Sequence, residues 1–221
     1  MGRLPSIIAI SLVAITAKIT FPMIVELLSL FSLPVPLEEQ ALEPEPEPIA
    51  VVEYVEKTWK CPDCTENEQY VLEQLQEHTK ISDKNALATI MGNIQQESKF
   101  TANICEGGAR VNYEHCYRGG YGLIQWTSIG RYKGLGYFSN KYGCDPSTLQ
   151  CQTRYMINEN IFQRYLPEFE GRGYTISQYM TPAYYWLGWG IKGNRELYAY
   201  DYAKKLVCLL YTSPSPRDAL T

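Results

Sequence analysis

The chain has 221 residues, 45% of them hydrophobic and 20% charged, with a formal net charge of −4, which is apolar material enough for one compact domain once non-globular ends are set aside. The negative balance argues against the basic, phosphate-binding face that nucleic-acid partners require. Tyrosine alone supplies 18 residues, rings whose apolar body and polar tip suit both cores and binding clefts.

From Ile7 to Leu33 the sequence is almost wholly apolar, broken by Lys18, Pro22, Glu26 and a few Ser and Thr, behind Arg3. About 20 apolar residues cross a hydrocarbon core. Residues 1–33 therefore read as a signal anchor contacting membrane through residues 7–33, and the acidic stretch that follows favours the C-terminus outside. The alternative is a signal peptide using Ile7 to Ala14 and cleaved near Ala17. A buried core helix ranks third, given the segment's length and Pro-rich exit. Residues 34–52 carry Glu38, Glu39, Glu43, Glu45 and Glu47 among prolines, a spacer kept extended by polyproline preference and charge repulsion. The domain is thus expected at 53–207, held at a membrane facing the periplasm or exterior, secreted after cleavage, or carried on a virion.

Cys208 to Asp218 (CLLYTSPSPRD) differs from the helical sequence before it and resembles translated sequencing-adaptor DNA, so 208–221 is read as a non-native tail. Of the seven cysteines, setting Cys208 aside leaves six: Cys61, Cys64, Cys105, Cys116, Cys144 and Cys151. An even set suits disulfides in an exported domain. The neighbouring pairs Cys105 with Cys116 and Cys144 with Cys151 are the simplest, and other connectivities stay open. Cys61-Pro62-Asp63-Cys64 admits a redox motif or half a zinc site. A redox motif lacks its βαβ setting, and zinc would need distant ligands, so a structural disulfide is favoured. No metal or cofactor is implied.

Apolar spacing predicts helices over Asn67–Thr79, Asp83–Ser98, Ser147–Asn160, Ile176–Leu187 and Asn194–Leu206, with a Gly-rich irregular stretch from Thr101 to Gly122. The fold class is α+β and mostly α-helical. In the second helix, Ala86, Leu87, Ile90, Met91 and Ile94 form the apolar stripe. With Ile90 at zero and about 100° per residue, Leu87 falls at about +60°, Ala86 at about −40° and Glu97 at about −20°, while Gln95 and Gln96 fall on the outer side. Glu97 thus points along the buried stripe. Desolvation there, together with the negative end of the helix dipole, raises a carboxyl pKa, the state a general acid for glycoside cleavage needs. The competing reading ends the helix by Gln96 and turns Glu97 to solvent.

Downstream of Glu97-Ser98-Lys99-Phe100 lies Gly122-Leu123-Ile124-Gln125-Trp126 behind a Gly-rich loop. An E-S-x-F element closing a helix, followed by G-L-x-Q, resembles the goose-type lysozyme and lytic transglycosylase superfamily. NIQQESKF followed by GYGLIQWT and Arg131 is more similar to the phage tail lysozyme domain, over roughly Asn67 to Leu206. The resemblance implies a helical lysozyme-like fold that cuts the β-1,4 bond between N-acetylmuramic acid and N-acetylglucosamine in peptidoglycan. It implies Glu97 as the catalytic acid and Ser98, Tyr121, Gly122, Gln125 and Trp126 as substrate-binding residues. The superfamily's A-Y-N triplet has only a loose counterpart in Ala183-Tyr184-Tyr185, which adds Tyr184 and Trp186 to the cleft. Trp126, Trp186 and Trp189 are candidate rings against sugar faces, against a plain core role.

A retaining glycosidase needs a second carboxyl about 5 Å from the first, an inverting one about 6.5 to 9.5 Å. Glu106, Glu114 and Asp145 are the candidates. Without one, the muramyl acetamido group assists and the product is a 1,6-anhydro sugar, so hydrolysis and transglycosylation stay open. Two other classes compete: a wall-binding module without turnover, and a disulfide-stapled interaction protein. If residues 7–33 are an uncleaved anchor, the full-length chain will fractionate with membranes and resist carbonate extraction. Recovery of only a shortened soluble form beginning near Lys18 would show a cleaved signal peptide instead.

Overall fold

Short polar side chains decide where the helices begin. The computed structural model describes residues 55–117 and 119–212, so the expected anchor and spacer lie outside the described residues. Strand β1 (Val55–Lys60) is followed by Thr65, whose side chain and Glu68 cap one another reciprocally at the head of α1 (Glu66–His78). The Asp83 carboxylate accepts from the Asn85 and Ala86 N–H groups to start α2 (Lys84–Ser98). Ser128 starts α3 (Ile129–Tyr142) and Thr148 starts α4 (Leu149–Asn158). Glu159 breaks the chain in extended conformation before α5 (Asn160–Phe169). Thr175, in a capping box with Gln178, opens α6 (Ile176–Leu187), and α7 (Arg195–Lys205) leads into strand β2 (Val207–Thr212). Each side-chain cap contributes about 1 kcal/mol to its helix.

The strands form a two-stranded antiparallel sheet, with Val55 opposite Thr212 and Lys60 opposite Val207. A mostly helical α+β unit is therefore what the chain builds. Strand β2 runs across the expected boundary at Cys208, pairing residues 208–212 with β1. Disulfides join Cys61 to Cys64, Cys105 to Cys116 and Cys144 to Cys151, chemistry that belongs to an oxidising compartment. Among the described residues no helix is long and apolar enough to cross a membrane.

Helix α2 is the centre of the unit. Every residue from Ala86 to Ile94 is buried, because α7, α6 and α1 all pack on it. The expected one-sided stripe is thus corrected: Ala88, Thr89, Gly92 and Asn93, on its back, are buried as well. The tightest contact is with α7. A Cβ at Gly92 would lie 2.4 Å from the Ala199 nitrogen and 2.8 Å from the Arg195 carbonyl oxygen, so two backbones meet where only glycine leaves room.

Two helices escaped the sequence reading. Helix α3 buries only Leu135 and Ser139 and includes Gly130, Gly134 and Gly136, so it has neither a strong stripe nor high propensity. Helix α5 buries Phe162, Leu166 and Phe169, but Pro167 near its end reads in sequence as a breaker. Gly92→Ala is expected to cost about 3 kcal/mol by forcing α2 and α7 apart. Urea unfolding of the variant beside the unmodified chain measures this, and an unchanged midpoint would show that the two helices are not held at that distance.

Candidate active site

The last turn of α2 delivers Glu97 with its side chain 15% exposed. The chain then reverses through Lys99 (φ 53°) and Phe100 (φ 58°), and a third left-handed residue, Gln125 (φ 51°), sits in the G-L-I-Q element. These are the non-glycine residues with positive φ among those described, and all three fall in the two motifs. Such backbone costs about 1–3 kcal/mol per residue and persists where its surroundings hold it. Here Phe100 is buried edge-on to Tyr202 at 6.0 Å, and the Ser98 hydroxyl donates to the Leu123 carbonyl at 2.7 Å, tying one motif to the other.

The G-L-I-Q turn is braced from behind by Gln152. Its Oε1 accepts from Leu123 N–H at 2.7 Å, and its Nε2 donates to the carbonyls of Ala102 and Pro146. A Cβ at Gly122 (φ 76°) would come within 2.3 Å of that Oε1, so this glycine makes room for Gln152. Gln125 donates through Nε2 to the Gly122 carbonyl at 2.9 Å and faces a cleft of about 790 Å³ that Glu97, Arg131, Tyr185, Trp189 and Arg195 also line.

Both arginines of the cleft wall, Arg131 and Arg195, are ion-paired. Arg131 grips Glu159 with both ends of its fork, Nε to Oε1 at 2.6 Å and Nη2 to Oε2 at 2.7 Å. Glu159 is buried and also accepts from Trp126 Nε1 and the Tyr155 hydroxyl, both at 3.4 Å. The second pair joins Arg195 Nη2 to Glu97 Oε1. Arg195 is buried, its Nη1 donates to the carbonyls of Ile191 and Lys192 at 2.8 Å each, and its guanidinium lies 4.7 Å from the Trp189 ring centre. Burial pushes the Glu97 carboxyl above the usual carboxylate range, and outweighs the opposing hydrogen bond and charge of Arg195 and the charge of Arg131.

A cleft with a largely buried carboxyl of raised pKa behind a strained helix end is matched at the level of sequence. The family model described as phage tail lysozyme matches residues 66–179. The chain belongs to the phage tail lysozyme family. Comparison with curated proteins and with solved structures gave no match. Membership places this unit among lysozyme-like, cell-wall-degrading domains. Glu97-Ser98-Lys99-Phe100, the G-L-I-Q element, Arg131 and Glu159 all lie inside the phage tail lysozyme match, whereas Tyr185, Trp189 and Arg195 lie beyond its end.

The residues expected at the substrate divide into those facing the cleft and those supporting it. Glu97 and Gln125 line it. Ser98, Tyr121 and Trp126, expected at the substrate, are buried and off the cleft lining: Ser98 ties the motifs together, Tyr121 donates to the Val111 carbonyl at 3.2 Å, and Trp126 donates to Glu159. Gly122 serves Gln152. Trp186 borders the cleft, but its ring is buried against Phe162 and its carbonyl accepts from Arg131 Nη1 at 3.3 Å. Tyr184 is half-exposed and packs edge-on to Trp189 outside the cleft lining. Of the three tryptophans weighed as sugar platforms, Trp189 is the half-buried one at the cleft. Gln96, expected on the outer side, is partly exposed and accepts from the N–H of Asn194, the residue just before α7, at 2.9 Å.

The candidate second carboxyls are elsewhere. Glu106 accepts from Gly120 N–H, Asp145 accepts from Ser147 N–H, and Glu114 sits in the short 3-10 turn Tyr113–His115. Sequence reasoning missed Glu159, Tyr185 and Arg195. The first was hidden inside an apparently continuous helix, and the last two sit on elements remote in sequence from both motifs. Glu159→Gln leaves the Arg131 charge without its partner, and a loss of about 3 kcal/mol or more is expected. Thermal denaturation reads it, and an unaltered transition would mean that the pair does not hold α3 to the α4–α5 break.

Proposed function

We propose that this domain cuts the β-1,4 bond between N-acetylmuramic acid and N-acetylglucosamine in peptidoglycan, for bacterial lysis or wall penetration by a phage, with Glu97 as the general acid. The observation that carries the reading is Glu97 itself: a carboxyl on a cleft wall, at the motif position of a lysozyme family, kept above its usual pKa by burial. Such a group holds its proton at a pH where an exposed glutamate has lost it, and can deliver it to the leaving glycosidic oxygen as the bond to the muramyl C1 breaks. Gln125, braced within its own turn, and Tyr185 and Trp189 across the cleft supply a hydrogen-bonding edge and aromatic faces for the sugars.

A second reading, lytic transglycosylation, is favoured by the state of the carboxylate held behind Arg131 of the cleft wall. Both Glu159 oxygens are taken up by Arg131, which leaves that group unsuited to attack C1 or activate water. The muramyl acetamido oxygen then attacks C1 as Glu97 protonates the leaving oxygen. Ionised Glu97 next takes the proton from O6, which displaces the acetamido oxygen and closes the 1,6-anhydro ring.

Glu97→Gln is expected to lower wall cleavage by about a hundredfold or more while the protein stays folded. In the unmodified enzyme, activity should be present while Glu97 is protonated and fall as the pH rises through its elevated pKa. Release of soluble glycan from purified peptidoglycan measures both, and mass spectrometry of the products separates reducing ends from anhydro sugars. Persistent cleavage in the variant would remove Glu97 from the mechanism.

A further inference from the structure

The ion pairs of the two cleft-wall arginines differ in how completely the arginine is used. Arg131 presents Nε and Nη2 to both oxygens of Glu159, a filled bidentate edge. Arg195 has its Nη1 fixed on the Ile191 and Lys192 carbonyls, so its Nε–Nη2 edge is the one left for an anion. Glu97 occupies only the Nη2 half. Nε is buried without a hydrogen-bond partner among the described residues, on a side chain only 7% exposed at the cleft wall.

Charge balance sharpens this. An arginine does not deprotonate in a protein. If Glu97 holds the proton that it must donate, its carboxyl is neutral and Arg195 is a buried cation without a counter-charge, a strongly unfavourable state. The charged groups on the packed elements offer no relief. Helix α6 has no charged residue. On α7, Glu196 takes Lys192 and Asp201 takes Lys204, and on α1 Glu68 takes Tyr202 and Thr65. Arg131 is a second cation and Glu159 is committed to it, while Lys99, just past Glu97, is exposed. The compensating anion has to arrive with the ligand.

We propose that Arg195 is the receptor for a carboxylate carried by the wall strand, and that the incoming carboxylate takes the Nε–Nη2 edge from Glu97, which then acquires its proton. This rests on Glu97 being the acid and adds what arms it: substrate binding and protonation of the acid are one coupled event. The shared chemistry is a carboxylate beside a muramyl sugar, either the lactyl carboxylate of a peptide-free residue or a carboxylate of the stem peptide.

The test uses the full chain and three disaccharides that lack the muramic acid to glucosamine bond, so nothing is cut during measurement. They are N-acetylglucosaminyl-N-acetylmuramic acid, its lactyl carboxamide, and the same disaccharide bearing a stem dipeptide. Calorimetry at about pH 7 in buffers of different ionisation heat counts protons taken up on binding. The proposal expects a carboxylate form to bind about tenfold or more tighter than the carboxamide and to take up a proton that the carboxamide does not. Success of the free lactyl form identifies that carboxylate, and success of the dipeptide form alone identifies the peptide's. Equal affinities and equal proton counts for all three overturn it.

Variants sharpen the outcome. Glu97→Gln no longer competes for Arg195 and should bind the carboxylate form more tightly while losing the proton uptake; retained uptake overturns the proposal. Arg195→Lys keeps the charge but not the fork and should shrink the preference for carboxylate, and an undiminished preference counts against Arg195. A failure of these binding results with wall cleavage still abolished in Glu97→Gln would refute the receptor and leave the glycosidase reading standing.

Discussion

Backbone contact between α2 and α7 at Gly92 sets the position of both halves of the reactive pair. Glu97 stands one and a half turns beyond Gly92 on one helix, and Arg195 is the first residue of the other, with its own carbonyl oxygen against Gly92. The separation of the helices therefore fixes how far the guanidinium sits from the carboxyl. A side chain at that crossing would force the helices apart, and the ion pair with them. The buried, almost fully surrounded α2 is what turns a glutamate at a helix end into a group with an elevated pKa.

Around this contact the protein places two Arg–Glu pairs with different consequences. Arg131 and Glu159 are mutually saturated, buried, and bonded to Trp126, Tyr155 and the Trp186 carbonyl. They join α3, the break between α4 and α5, and the end of α6, and form a wall. Arg195 and Glu97 are joined through one hydrogen bond, with donor capacity left over. A saturated pair resists exchange because every donor would have to be desolvated anew; a half-filled one offers a place to an incoming group.

Strain and bracing are likewise concentrated at the site. Lys99, Phe100 and Gln125 adopt left-handed backbone where side chains ordinarily avoid it, and each is held by a specific partner: the α2 carbonyl of Gln95 for Lys99, the Tyr202 ring for Phe100, and the Gly122 and Ile104 carbonyls for Gln125. Ser98 and Gln152 fasten the two turns to one another and to the loop before α4. Motif residues that look like ligand contacts in a linear pattern are in part the scaffolding that aims Glu97 and Gln125 into the cleft.

The sequence by itself determined what local chemistry can determine. Apolar spacing was enough to find five of the helices, those over Asn67–Thr79, Asp83–Ser98, Ser147–Asn160, Ile176–Leu187 and Asn194–Leu206. An even set of six cysteines pointed to disulfides while leaving their connectivity open, and Glu97 stands where a 3.6-residue period continues the α2 stripe. Family membership followed from the ordered E-S-x-F and G-L-x-Q elements. Tertiary structure alone decided which faces are interior. A helix wheel assumes one buried side, and α2 has no exposed residue from Ala86 to Ile94. Tyr121 and Trp126 are buried while Tyr137 and Tyr185 stay exposed, a division between like rings that packing decides and residue type does not. Arg195 reaches Glu97 across a sequence separation of 98, a meeting that no local period encodes, since it depends on how two helices approach at a glycine.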